Sequence, residues 1–250
     1  MVGSVEIIPL RGIPKIDLGD NIPKCILDAL DSTNISLVDG DIIVIAHTIV
    51  SKAEGRVIES SQINVTPRAQ DIANRSDFDA VQVEIALGEG RAVIRDERAL
   101  IIELPNGHIC NFGGVDHSNA PPSSYLLLPR DPDRSAKLLR TEIEEQSRKK
   151  IAVIISDTEG RPWRKGAINI AIGCAGINAF KHNQGKQDLY GRILQRSMIC
   201  QVDQIASAAE LVMGQADEGI PVVIIRGYDY ERGNEKVSDI HRTGEENLFR

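Results

Sequence analysis

Carboxylates, hydroxyls, guanidiniums and ammoniums crowd into residues 149–166, KKIAVIISDTEGRPWRKG. The apolar, β-branched run at 151–155 predicts a strand buried on both faces. Ser156, Asp157, Thr158 and Glu159 follow, Gly160 marks a turn, and Arg161, Arg164 and Lys165 surround Pro162 and the only tryptophan, Trp163. Carboxylate and hydroxyl oxygens suit a hard cation. Guanidinium and ammonium groups suit phosphate or carboxylate oxygens. Gathered at the mouth of a strand, these groups could hold a metal-bound phosphate. The plain alternative is a strand end with a solvated charged loop.

A second mouth has the same layout. Gly40 introduces the apolar strand 42–46, which stops in His47, Thr48, Ser51, Lys52, Glu54, Gly55 and Arg56. Lys52, a compact charge on a long stem, is the best single candidate for neutralising a phosphate. His47 has no second His or Cys at ligand spacing and reads as a hydrogen-bonded structural histidine. The third stretch, 112–119, is FGGVDHSN. Its paired glycines let backbone approach a ligand, Asp116 could share a cation with Asp157, and Asn119 could read a base or phosphate. Locally, a glycine turn with an Asx cap accounts for it as well. Asp116, Asp157, Thr158 and Gln215 are hard ligands on separate loops, the pattern expected for Mg²⁺ or Mn²⁺ bridging nucleotide phosphates. No P-loop, no G-x-G-x-x-G after a strand and no G-x-S-x-G elbow occurs. The residues alone point to a metal-dependent nucleotide or phosphate enzyme.

Positioning these groups needs an α/β frame. Strands are expected at 5–9, 42–46, 91–95, 99–103, 151–155 and 222–225. Helices are expected at 21–31 (Asp20 or Asn21 as cap), at 67–74 after Thr66-Pro67, and at 79–87, 135–148 and 203–213, the last closed by Gly214. Residues 105–107 read as a tight turn. Gly173 and Gly176 within 167–179 suggest tight packing, 186–192 reads as a polar loop, and the charged tail from Glu231 reads as loosely held apart from Leu248 and Phe249. The 250 residues can bury a sizeable core as one domain or two intimate subdomains. A net charge of −7 argues against nonspecific nucleic-acid binding. No apolar run reaches the ~18 residues of a membrane span, and no basic n-region marks a signal peptide, so a cytoplasmic protein is expected. Cys25, Cys110, Cys174 and Cys200 stand singly, with neither disulfide nor zinc spacing, and read as small buried residues.

Five ordered segments add more: HTIVSKAEGR at 47–56, GGVDHSN at 113–119, ISDTEGRPWRKG at 155–166, QDLYGR at 187–192 and LVMGQADEGIPVVIIRG at 211–227. With the PLRGIP turn at 9–14, they resemble the coenzyme F420:L-glutamate ligases nearly end to end. That family adds γ-linked glutamates to the deazaflavin precursor F420-0 with GTP and divalent cations. The resemblance implies a mixed α/β unit of two interleaved subdomains in an intertwined homodimer. It implies Asp116 and Asp157 as ligands of one Mg²⁺ or Mn²⁺ and Thr158 and Gln215 on a second, with potassium as a further candidate cation. It places Leu10, Arg11, Gly12, Ile13, His47, Thr48, Lys52, Asn119 and the loop Met213, Gly214, Gln215, Ala216, Asp217, Glu218, Gly219 and Ile220 at the GTP site.

The chemistry implied is transfer of the GTP γ-phosphate to a substrate carboxylate, assisted by Lys52, followed by attack of the glutamate amine. Arg161, Arg164, Lys165, Tyr190 and Arg192 are candidates for holding F420-0 or glutamate. Three positions depart from the family pattern. His47 stands where serine is expected, Phe112 where asparagine is expected, and Ala216-Asp217-Glu218 replaces a more glycine-rich loop. Two other readings are another nucleotide-dependent amide ligase with a different acidic acceptor, and a non-catalytic GTP-binding regulator.

Overall fold

In the computed structural model, which describes residues 3–242 and 244–248, the two apolar runs lie side by side. β1 (Glu6–Pro9), α1 (Ile22–Ser32), β2 (Ile42–Ala46), α2 (His47–Ala53), β3 (Val57–Glu59), α3 (Pro67–Ser76) and α4 (Ala80–Glu89) come first. β4 (Ala92–Glu97), β5 (Ala99–Glu103), β6 (Ile109–Asn111), β7 (Ser124–Leu126) and α5 (Pro132–Ser147) follow. The chain continues through β8 (Ala152–Arg161), β9 (Arg164–Ala175), β10 (Phe180–His182), β11 (Met198–Cys200), α6 (Gln201–Met213) and β12 (Val222–Arg226). β2 and β8 pair in parallel from Ile42 opposite Ala152 to Ala46 opposite Ser156. They form the middle of a mixed sheet of order β1-β12-β2-β8-β9.

Alternation along these strands feeds two cores. Ile43, Ile45, Val153 and Ile155 face the larger one, shared with α1, α5 and the unit built from α3, α4 and β4-β5-β6. Ile42, Val44, Ala152 and Ile154 face the other, closed by Val202, Ala206 and Ala209 of α6. The result is a mixed α/β fold. Among the described residues, no helix is long and apolar enough to cross a membrane. Capping follows the sequence: the side chains of Asn21 and Thr66 accept from the N–H of Lys24 and Ala69.

Several expectations are corrected. The strand expected to stop at 155 runs on to Arg161, and 167–179 supplies most of its partner, β9. Backbone pairing across this hairpin satisfies the polar stretch, so side chains that looked loop-like stay in a ladder. The turn is therefore at Pro162-Trp163, not Gly160. The polar run after β2 coils at once into α2. α5 begins at Pro132, three residues earlier than expected, because Asp131 caps it and proline suits its first position. The tail is docked as far as residue 241: Val237 is 1% exposed, the N–H groups of Val237 and Ser238 donate to Asp133, and the His241 ring packs near that of His108. Leu248 is exposed, and Phe249 lies outside the described residues.

A Cβ on Gly173 would lie 2.3 Å from the carbonyl carbon of Pro132, whereas one on Gly160 meets nothing within 4 Å. Gly173→Ala is therefore expected to lower unfolding free energy by about 1–3 kcal/mol, with Gly160→Ala within about 0.5 kcal/mol of wild type; denaturant titration checks both. On the docked tail, the His241 ring sits 5.3 Å from that of His108. Burial first, and then His108, push its pKa down to about 4. Between pH 6.5 and 4 the unfolded chain then binds a proton that the fold refuses, so stability falls as pH drops through that window. His241→Gln should reduce the loss between neutral and acidic pH by roughly 1–2 kcal/mol; an unchanged slope would show that His241 titrates normally in the fold.

Candidate active site

The parallel register of β2 and β8 brings the two polar mouths together. His47 follows directly on Ala46, and Asp157 follows its partner Ser156. At the same point, pairing with β9 slips: Ile155 faces Gly173 and Ser156 faces Ala171, leaving Ile172 as an extra residue. Such a bulge bends the strand and re-aims the side chains beyond it. Ser156, Asp157, Thr158 and Glu159 line a cleft of about 1760 Å³ with the Phe112–Gly114 turn, the following loop and residues 213–221. That exceeds the ~300–1,000 Å³ of a single small-ligand pocket.

His47 is buried, with Nε2 3.2 Å from Asp157 Oδ1 and Nδ1 3.3 Å from Ser51 Oγ. The Thr158 N–H donates to Asp157 Oδ1 at 2.7 Å. The Thr158 hydroxyl donates to Asn169 Oδ1 (2.6 Å) and accepts from Gln215 Nε2 (2.7 Å). Asn169 Nδ2 donates to Glu210 Oε2 at 2.6 Å, and Gln215 donates to the same carboxylate. These four side chains close a ring that fixes Thr158. One lone pair of its hydroxyl remains for a ligand.

Asp116 accepts from the Ser118 hydroxyl and from the His117 N–H at 2.7 Å. Burial pushes its carboxyl up, but the hydrogen bonds from Ser118 and His117 outweigh this and leave it below its ordinary value. Burial, only partly offset by Asp17, lowers the Lys52 pKa. Ser156 Oγ, in the cleft wall, is buried without a hydrogen-bond partner, a cost that a bound polar ligand would remove.

Charge narrows the ligand class. Six carboxylates line the cleft (Asp17, Asp116, Asp157, Glu159, Asp217 and Glu218) against the basic side chains of Lys15, Lys52, Arg95 and Arg161. A polyphosphate would be repelled unless cations entered with it. The donor set fits such cations: Asp116 and Asp157 offer carboxylates, Thr158 a hydroxyl and Gln215 an amide oxygen.

Of the residues singled out from sequence, Ile13, His47, Thr48, Lys52, Asp116, Asn119, Asp157, Thr158, Arg161 and the whole 213–220 loop line this one cleft. Leu10 is fully buried, its N–H donating to the Val222 carbonyl, and Arg11 and Gly12 are exposed on the same turn. Arg164, Lys165, Tyr190 and Arg192 are exposed and outside the cleft of one chain. The Arg161 guanidinium donates to the carbonyls of Gly166 and Lys165, bracing the hairpin turn. Sequence reasoning missed Asn169 and Glu210. An asparagine inside the apolar run of β9 was the available signal, for such a buried amide must find partners.

Residues 12–227 match the family described as F420-0:Gamma-glutamyl ligase. The chain is 45% identical to the coenzyme F420:L-glutamate ligase of Methanothermobacter thermautotrophicus, with 99% of each chain covered. It is also 45% identical to that of Methanocaldococcus jannaschii, covering 99% of this chain and 97% of the relative. Identity to the Archaeoglobus fulgidus ligase is 39%, covering 98% and 96%. The motif resemblance thus extends over the whole frame that builds the cleft, and the chain belongs to the F420-0:gamma-glutamyl ligase family.

Proposed function

We propose that this chain joins L-glutamate through γ-linkages to coenzyme F420-0, using GTP and two divalent cations. Family membership supports the acceptor and the amino acid. The observation that carries the nucleotide and metal reading is the acidic surplus of a cleft that also offers Lys52 and the unpartnered Ser156 hydroxyl. Asp116 and Asp157 would hold one Mg²⁺ or Mn²⁺, and Thr158 and Gln215 the other. Bound there, the ions offset negative charge on the phosphoryl oxygens.

In this reading Ile13, Thr48, Asn119 and the loop from Met213 to Ile220 surround the nucleotide, with Arg11 and Gly12 exposed on the same turn and Leu10 buried beneath it. Lys52 neutralises the transferring phosphoryl group. A carboxylate oxygen of the acceptor attacks the γ-phosphorus, giving an acyl phosphate and GDP. The glutamate amine then attacks the acyl carbon, inorganic phosphate leaves, and the amine proton passes to solvent. His47, held by Ser51, orients Asp157. Arg161, Arg164 and Lys165 attract the anionic acceptor or glutamate. We further read the protein as a cytoplasmic homodimer: Leu189, Tyr190 and Ile193 are exposed apolar surface that a second copy would cover.

A ligation assay with F420-0, L-glutamate, GTP and Mn²⁺, read by mass spectrometry, checks this. The expected result is a ladder of glutamate additions, reduced about 10³-fold or more by Asp157→Ala, as befits loss of a group that stabilises the transferring charge. GTP binding without any ladder would move the search to another acceptor. Alanine at Arg161, Arg164 or Lys165 should raise the KM for acceptor or glutamate more than that for GTP; the reverse pattern would remove these residues from the substrate side.

A further inference from the structure

A second ligand set of different chemistry lies in the wall of the cleft. His108, immediately before β6, and Cys110 within it stand two residues apart, so continued alternation turns both side chains to one face. That face meets Glu159 of β8. His108 Nε2 is 2.9 Å from Glu159 Oε1, and one ligand atom from each of His108, Cys110 and Glu159 falls within 4.8 Å of the others. His108 and Cys110 are 6% and 3% exposed, and the Glu159 side chain 14%. Cys110 and Glu159 line the main cleft, whereas His108 and Glu159 line a smaller cavity. The cluster therefore borders two cavities.

A sulfur, an imidazole nitrogen and a carboxylate oxygen are not the set that Mg²⁺ or Mn²⁺ selects. They suit zinc, which takes three protein ligands and leaves an open position. With zinc bonds of about 2.0–2.3 Å, tetrahedral ligands stand roughly 3.3–3.8 Å apart. Separations that all lie within 4.8 Å would close by at most about 1 Å, and the His108–Glu159 pair would open by about half that. No zinc spacing is visible along the chain because Glu159 arrives from a strand 51 residues beyond His108.

We propose that His108, Cys110 and Glu159 form a zinc site with an open fourth position, which pins the β6 segment to the β8–β9 hairpin beside the cleft. On binding, a zinc–sulfur bond forms, the thiol proton passes to solvent and the ion keeps its charge. The site is independent of the nucleotide reading, and its test needs no turnover. Cobalt, titrated into the chelator-stripped full-length protein without nucleotide, should give an intense near-ultraviolet thiolate-to-metal band that saturates at one ion per chain. One equivalent of zinc should abolish it, and Cys110→Ser should lack it while cobalt still reaches oxygen ligands elsewhere. His108→Gln and Glu159→Gln should weaken the band's titration by at least about tenfold. They decide the matter should the serine variant fail to fold. A wild-type protein without the band, a band retained in Cys110→Ser, or unchanged affinity in both glutamine variants overturns the proposal.

Discussion

The parallel pairing of β2 with β8 is the constraint on which the rest depends. β2 and the first residues of β8, Ala152 to Ile155, are uniformly apolar because both their faces are covered by a core, and each segment gives way to polar residues where the cover ends. The register that sets Ala46 beside Ser156 decides that His47 meets Asp157. A slip of one residue would turn Ile43 and Ile45 toward the wrong core and separate the polar ends in the same stroke. Hydrophobic burial thus fixes the geometry of the polar site.

From that point the hairpin makes the site specific. A polar strand extended beyond its cover is affordable only because β9 supplies backbone partners throughout. The extra residue Ile172 re-aims Asp157 and Thr158 at the place where chemistry is wanted. Asn169, returning on β9, and Glu210, on α6, then hold Thr158 and Gln215 in one ring. Pre-organisation of this kind matters when the charge to be managed is a transferring phosphoryl group, for donors already in place need not reorganise. The acidic surplus means that any polyphosphate entering this cleft would need cations with it.

Much of this was legible in the sequence, and the failures have physical causes. The buried strands, the capped helices and the placement of Asp116, Asp157, Thr158 and Lys52 around one cavity follow from β-branched runs, cap residues and abrupt changes of polarity. What local pattern could not show was any feature made by a distant partner. Residues 156–161 look like a loop until β9 pairs with them. Asn169 looks like an interruption in a packing segment until Thr158 and Glu210 surround it. The tail looks solvated until Asp133 accepts from its backbone. Cys110 looks like filler until Glu159 arrives beside it.

The most direct test of the account is a crystal structure of the protein with a non-hydrolysable GTP analogue and Mn²⁺, with the ions located by anomalous scattering. The account predicts the triphosphate beside Lys52 and Ser156, one manganese between Asp116 and Asp157, and a second against Thr158 and Gln215. A nucleotide seated outside this cleft, or manganese away from Asp157, would contradict it.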